Sequence, residues 1–369
     1  MSVKSRVDLY KRIEDLRGNP LVVYVTSRRT KASGDMACSA VPELCDQIHR
    51  LQTGVKAVDL MLVSTGGDPM VSWKIVSMLR EHVSKVNVLI PSYAYSAATA
   101  LALGADEIVM HPCGNLGPVD PQIDGYRKDK DGRPVPVHFG TEDMSAFLDF
   151  VKREVGIKDK ASLLEAFKVI TSEFGANTIG FAARSMALSQ KLGKKLLQTH
   201  MGTKEAKKVN AIVDKLNKEF FNHGYPVSRT EAREIGLKVI DPDPKLQDAM
   251  WKAWTEIERD MKVRSVFNPM SAFLGKAKTT KVTSTSLKVP MFPSMIPASA
   301  TSVFPLPAIP TEIVSASSKA ILVLLESTRL QRMMTQEVEM SGMINANGVI
   351  RANVVGNFVG WEDSLDSAT

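Results

Sequence analysis

The chain has 369 residues, of which 44% are hydrophobic and 24% charged, and its formal net charge is +7. This length allows one large domain with an appended segment, and the composition is ordinary for a globular protein. The positive charge is spread along the chain, so nucleic acid is not expected as a partner. No stretch of about eighteen apolar residues occurs and no apolar segment follows Met1, so we expect neither a transmembrane segment nor a secretory signal.

The cysteines and the motifs suggest no bound metal. Cys38, Cys45 and Cys113 lack the spacing of metal ligands. Three cysteines in a chain of this length fit a reducing compartment, so we expect a cytoplasmic protein. No metal or organic cofactor is implied.

Residues 21–120 alternate short apolar runs with amphipathic segments. The pattern predicts strands over 21–25, 58–63, 86–90 and 108–110, and helices over 40–51 and 70–83. Strands that alternate with helices favour parallel pairing through right-handed crossovers, and hence an α/β core. The loops after the carboxyl ends of such strands are where function is expected.

The next part of the chain predicts a charged loop over 124–133 and then a helical arm. Amphipathic periodicity predicts helices over 141–155, 163–174, 178–199, 204–223 and 230–235. A last strand of this region is predicted over 237–240. The helices over 178–199 and 204–223 carry long apolar stripes, more than one α/β layer would bury. They therefore predict a homo-oligomer whose assembly needs these helices.

The C-terminal third changes character. Residues 266–310 hold seven of the nineteen prolines, many serines and threonines, and no acidic residue, which predicts a linker. Beyond it, strands are predicted over 320–325, 332–340 and 349–359, with a hairpin turn at 345–348. We predict a main domain over 1–245, a helix followed by a linker over 246–312, and a small β-rich module over 313–369.

Ser96 follows the predicted strand over 86–90 and precedes a helix of small residues. A serine at a strand-to-helix turn can be held away from the rest of the fold, and the free N–H groups at the helix start can stabilise an oxyanion. Gly66 and Gly67 follow the preceding strand and can aim backbone N–H groups at the same point. The alternatives are that Ser96 serves only as an N-cap and that the glycines form only a tight turn.

Four motifs in this order and spacing carry a family resemblance. They are Ser64-Thr65-Gly66-Gly67-Asp68, Ala94-Tyr95-Ser96-Ala97-Ala98-Thr99, the segment 104–110 and the segment 116–122. The chain resembles the ClpP-like and signal-peptide-peptidase-A-like serine peptidases of the ClpP/crotonase fold, and is most similar to the serine dehydrogenase proteinase group. The resemblance covers residues 20–241.

The resemblance implies Ser96 as the nucleophile and the backbone N–H groups of Gly67 and Ala97 as the oxyanion hole. It does not identify the base. In ClpP a histidine follows the serine by about 25 residues, where this chain has Asp120, and in the other group a lysine follows by about 40 to 50 residues. Residues 136–146 contain no lysine. His223 and Lys160 are further candidates for the base, whereas His111 is expected to be structural.

We therefore predict a serine peptidase that cleaves peptide or protein substrates through an acyl-enzyme on Ser96. One alternative is a non-catalytic oligomeric scaffold or binding protein of the same fold, which has kept the site without a competent base. Another is crotonase-type acyl-CoA chemistry, which shares the fold and the oxyanion hole. That chemistry would not need Ser96, so an exposed serine at the turn argues against it.

Overall fold

The computed structural model describes residues 3–220, 222–282 and 311–364. The helices are α1 (Val3–Arg17), α2 (Ala40–His49), α3 (Pro69–His82), α4 (Ala97–Leu103), α5 (Thr141–Arg153), α6 (Lys160–Phe174), α7 (Ala176–Leu197), α8 (Ala206–Lys218), α9 (Arg229–Ile235), α10 (Pro244–Asp260) and α11 (Pro269–Thr279). None of the helices in these ranges has the length and apolarity needed to cross a membrane.

The strands are β1 (Leu21–Thr26), β2 (Arg28–Arg29), β3 (Ala32–Ser33), β4 (Ala57–Val63), β5 (Lys85–Ile90), β6 (Tyr93–Ala94), β7 (Glu107–Met110), β8 (Asn115–Leu116), β9 (Gln122–Lys128), β10 (Pro134–Gly140), β11 (Val239–Ile240), β12 (Thr311–Ser327), β13 (Gln331–Asn345) and β14 (Gly348–Asp363). Eight of them form one sheet in the order β11-β7-β5-β4-β1-β12-β13-β14. The five from β11 to β1 pair in parallel. The predicted α/β fold with a parallel core is therefore confirmed.

The C-terminal strands extend this sheet. They confirm the three predicted strands and the hairpin turn, and β12 runs antiparallel to β1, with Val22 opposite Ser327. The strand β1, near the centre of the sheet, is therefore paired on one side with β4 and on the other with a strand from the C-terminal region. The division of the chain at residues 245 and 312 stays a prediction.

Both faces of the parallel part are covered, because successive side chains of each strand point to opposite sides. Val22 and Tyr24 face a core shared with α2, α3, α4 and α8. Leu21, Val23 and Val25 face a second core built with α1 and α10. Every residue of β1 is buried. The fold thus fixes the backbone at the carboxyl ends of these strands, where the candidate site lies.

Three sequence-based predictions were wrong in part. The segment 124–133 is not a loop throughout, because β9 and β10 form a hairpin there. The predicted linker contains α11, which buries Phe273 against the sheet, whereas its Pro-rich part over 283–310 lies outside the described residues. The predicted helix over 204–223 ends at Lys218, and the apolar stripe of α8 is buried within the chain itself. That stripe therefore gives no support for a subunit contact.

Candidate active site

Ser96 lies in a strained turn between β6 and α4. Its backbone has φ +52° and ψ −117°, a conformation that is uncommon for residues other than glycine and costs about 1–3 kcal/mol. The turn is held by the Tyr95 N–H, which donates to the Ser64 carbonyl at 3.0 Å, and by the Ser72 hydroxyl, which donates to the Ala97 carbonyl at 2.6 Å. Within the described ranges, no group hydrogen-bonds to the Ser96 hydroxyl, so the serine does not cap α4 through its side chain.

The Gly66-Gly67 turn is built against the serine turn. The Ser64 hydroxyl accepts from the Gly66 N–H at 3.0 Å and lies 2.8 Å from the Thr26 hydroxyl. Gly66 has φ +110°, and a Cβ placed on it would lie 2.8 Å from the Cβ of Ser96. Only glycine fits this approach. Ser64 and Thr26 were not singled out from the sequence, although Ser64 stands at the head of the Gly-Gly motif.

Two backbone donors beside Ser96 are unused. The peptide bond after Gly67 is fixed in position, because the Asp68 N–H donates to the Met36 carbonyl at 2.9 Å. The Asp68 side chain then caps α3. No acceptor among the described residues takes the N–H of Gly67. The N–H of Ala97, the first residue of α4, likewise has no acceptor there. These are the donors that the sequence suggested for an oxyanion hole.

The side chains of Asp120 and His223, which are 103 residues apart in the sequence, lie within hydrogen-bonding distance of each other. Nδ1 of His223 lies 2.8 Å from Oδ1 of Asp120, and the other carboxylate oxygen accepts from the Gln122 amide at 2.7 Å. Asp120 is largely buried and His223 is partly exposed. Within the described residues Nε2 of His223 has no hydrogen-bond partner. A carboxylate on Nδ1 orients an imidazole and leaves Nε2 to exchange a proton.

A cavity of about 400 Å³ opens beside Ser96. Its wall on the site side contains Gly67, Ser96 and Ala97, and the loop around Asp120 contributes Val119, Pro121 and Gln122. Helix α7 covers it with largely apolar side chains, Phe181, Leu188 and Leu192. The predicted helical arm thus supplies one wall of the cavity, but its individual residues were not predicted because sequence periodicity does not reveal which cavity a helix covers.

The remaining candidates lie away from this arrangement. Lys160 is the exposed first residue of α6 and does not line the cavity. His111 is buried and stacks on Trp251 with ring centroids 5.0 Å apart, as expected for a structural histidine, and burial lowers its pKa. Neither of the two lines the cavity beside Ser96.

In the described part of the chain, no group of three or more His, Cys, Asp or Glu side chains is arranged to hold a metal ion. The Asp120 carboxylate and the His223 imidazole are the paired ionisable groups described above. Together with a hydroxyl and two free N–H donors, they are the components used for acyl transfer.

Comparison with known proteins finds a family model that matches part of the chain. Residues 44–130, which contain both the Gly-Gly turn and Ser96, match the ClpP-like SDH-type serine proteinases. Two uncharacterized proteins of Methanocaldococcus jannaschii are 28% identical over 191 residues and 29% identical over 185 residues. These alignments cover 51% and 50% of this chain and 53% and 54% of the relatives. The chain thus spans about half the length of the curated relatives it matches.

Two solved structures share some similarity with this chain. The 1510-N membrane-bound stomatin-specific protease, in a mutant form, is 16% identical with a TM-score of 0.36, over 61% of this chain and 81% of that one. ClpP1 from Listeria monocytogenes is 11% identical with a TM-score of 0.31, over 64% of this chain and 99% of that one. No residue role follows from similarity at this level.

Proposed function

Since this chain carries a segment of the ClpP-like SDH-type serine proteinase family over residues 44–130, we propose that it is a serine peptidase with Ser96 as its nucleophile. The observation that carries the proposal is the juxtaposition at the two turns. An unbonded serine hydroxyl stands on a strained turn against Gly66, with the free N–H groups of Gly67 and Ala97 beside it. Asp120 and His223 complete the proposed site.

The proposed reaction is acyl transfer. The Ser96 oxygen attacks the carbonyl carbon of the scissile peptide bond while its proton passes to Nε2 of His223. The N–H groups of Gly67 and Ala97 stabilise the oxyanion that forms, a contribution typically worth about 10²–10³ in turnover for each donor. The tetrahedral intermediate then expels the amine, which takes the proton from His223, and an acyl-Ser96 ester remains.

Water hydrolyses this ester by the same route. His223 takes a proton from the water, the hydroxide equivalent adds to the ester carbonyl, and the proton returns to the Ser96 oxygen as the acid leaves. Asp120 holds Nδ1–H throughout. For both half-reactions Nε2 must come within about 3.2 Å of the Ser96 oxygen, a contact that often tightens only when substrate binds.

The cavity suggests what kind of peptide is accepted. Apolar side chains of α7, among them Phe181, Leu188 and Leu192, face the space next to Ser96. We propose that an apolar side chain of the substrate enters it, because burying such a group there removes apolar surface of both partners from water. The proposed mechanism uses only groups of the protein and water. The cytoplasm stays our prediction for the compartment of the protein.

A second candidate function is a non-catalytic scaffold or binding protein. The observation that favours it is the lack, within the described residues, of any hydrogen bond between the Ser96 hydroxyl and a base. A protein of this kind would keep the Asp120–His223 pair and the cavity as structural or peptide-binding features.

Reaction with a fluorophosphonate probe distinguishes the two functions. We expect covalent labelling of the wild-type protein, loss of labelling in Ser96→Ala, and retained labelling in Ser185→Ala, a matched control because Ser185 lines the same cavity. Turnover of peptides with apolar residues should be lost in Ser96→Ala alone. An unlabelled but folded wild-type protein, or labelling that persists in Ser96→Ala, would exclude Ser96 as the nucleophile.

A further inference from the structure

One edge of the eight-stranded sheet is long and unpaired in the described structure. Strand β14 has sixteen residues, pairs with β13 on one side, and ends the strand order on the other. The opposite edge strand, β11, has two residues. An edge strand presents a row of N–H and C=O groups that can pair with another strand. This row on β14 is the largest such feature of the sheet.

The side chains of β14 are unusually apolar for an edge strand. Val354 is 58% exposed and Val359 57% exposed, so more than half of each side chain meets solvent. The other exposed large apolar side chains of the strand are Val349, Ile350, Val355 and Phe358. The strand contains neither proline nor lysine, the residues that commonly protect edges from pairing. Contiguous exposed apolar residues of this kind mark an interaction surface.

Opposite charges stand towards the two ends of β14, at unequal distances from its midpoint. Arg351 lies near one end and takes part in none of the ion pairs of the described residues, whereas Glu362 lies near the other end and pairs with Lys319 at 2.6 Å. In two antiparallel copies of one strand, residues at equal distances from the twofold axis face each other, and an axis between residues 356 and 357 relates Arg351 to Glu362. Antiparallel pairing of β14 with itself can therefore bring Arg351 of each copy opposite Glu362 of the other.

We infer that β14 is the contact between two copies of this chain, which join their sheets edge to edge about a twofold axis. With Arg351 opposite Glu362, the next opposed pairs are Ala352 with Trp361, Asn353 with Gly360, and Val354 with Val359. The register of β14 against β13 places both members of each pair on the same face of the sheet.

The apolar pairs lie on one face and the charged pair on the other. One irregular position of β14, residue 350, lies beyond Arg351. The other, residue 355, lies between Val354 and Val359, so the ladder between the two copies is interrupted at the middle of the contact. A symmetric contact of this kind is isologous and closes at two copies, so no free β14 edge remains for a third copy. It does not depend on the chemistry at Ser96.

The test is the mass of the full chain in solution. Light scattering at micromolar concentration should give an even number of copies, and Val354→Lys should halve that mass, because a lysine would face Val359 of the other copy and desolvate its charge. Val266→Lys is the matched control, since Val266 is 53% exposed and lies outside the sheet. A monomeric wild-type protein, as expected if another part of the chain covers β14, would overturn the inference, as would a Val354→Lys protein of unchanged mass.

Disulfide cross-linking tests the register independently of any effect on folding. In a variant whose exposed Cys38 and Cys113 are replaced by alanine, Val354→Cys combined with Val359→Cys should give a covalent dimer on oxidation. Directly opposed residues have Cα atoms about 4.5–5.5 Å apart, within reach of a disulfide. Val354→Cys alone should stay uncoupled, because the two copies of residue 354 would be about 17 Å apart. Absence of the cross-link in the double variant would refute this register.

Discussion

Replacing Gly66 by alanine tests the proposed site most directly, because the added methyl group would meet Ser96 itself. The new Cβ would lie 2.8 Å from the Cβ of Ser96, 2.9 Å from the Tyr95 carbonyl oxygen and 3.1 Å from the Ala97 nitrogen. Carbon atoms in contact normally stand at least about 3.5 Å apart, so the two turns must separate by roughly 0.7 Å (3.5 − 2.8). The methyl group would thus crowd the Ala97 nitrogen, one of the two proposed oxyanion donors.

The expected loss is chemical more than structural. A displacement near 1 Å of a reacting group can cost about 10² in rate, so we expect at least about a hundredfold slower labelling by fluorophosphonate and slower peptide turnover. The positive φ of Gly66 adds a loss of stability of about 1–2 kcal/mol for any residue with a Cβ. Unfolding in urea measures this second effect separately.

Gly54→Ala is the matched control for the backbone effect. Gly54 has φ +86° in the loop before β4, and a Cβ added there meets no atom within 4 Å. It should lose similar stability and keep the labelling rate of the wild-type protein. If Gly66→Ala reacts at the wild-type rate, or if Gly54→Ala slows labelling equally, the approach of Gly66 to Ser96 is not part of a catalytic site.

Three further predictions address the same fold. Asp120→Asn should lower turnover by at least tenfold without unfolding the protein, because the carboxylate no longer orients His223, and an unchanged pH–rate profile would contradict that role. Gly67→Val should lower turnover per folded molecule by about a hundredfold, since its Cβ would lie 2.5 Å from the Met36 carbonyl oxygen and turn the residue 67 N–H away from the oxyanion. Normal kinetics would mean that the Gly66-Gly67 turn has only a structural role. Burial lowers the pKa of His200 below 6.5, so the unfolded chain binds the proton more readily and the free energy of unfolding should fall as the pH drops below about 6.5. His200→Gln should reduce that dependence in unfolding titrations at pH 7 and pH 5.5, and an unaltered slope would exclude His200 as its source.

The sequence predicted the local parts of this molecule well. The strands around β1, β4, β5 and β7 are short apolar runs between helical periodicities, and the positions of Ser96 and Gly67 follow from their place directly after such strands. These features depend on residues close together in the chain. The backbone conformation of Ser96 was not predictable, because serine itself has no preference for a positive φ and the surrounding contacts impose it.

Long-range features were harder to predict for a physical reason. The pairing of Asp120 with His223 joins residues on separate loops, and neither residue type signals the other. Likewise, the apolar pattern of β12 shows that it is a strand but not that β1 is its neighbour, since buried strands offer similar surfaces to many partners. The helix α11 was predicted as part of a linker, because the proline-rich composition around it was a stronger signal than its own short helical pattern.

The pairing of β1 with β12 also has a consequence for biosynthesis. About 285 residues separate the end of β1 at Thr26 from the start of β12 at Thr311. A ribosome adds roughly 5–20 residues per second, so one edge of β1 waits for about 15–60 s before its partner strand is made. During that time the nascent chain carries a strand with one open edge and mostly apolar side chains. A folding chaperone acting on the emerging chain would therefore find its binding surface at β1, and the central strand of the sheet is among the last to be completed.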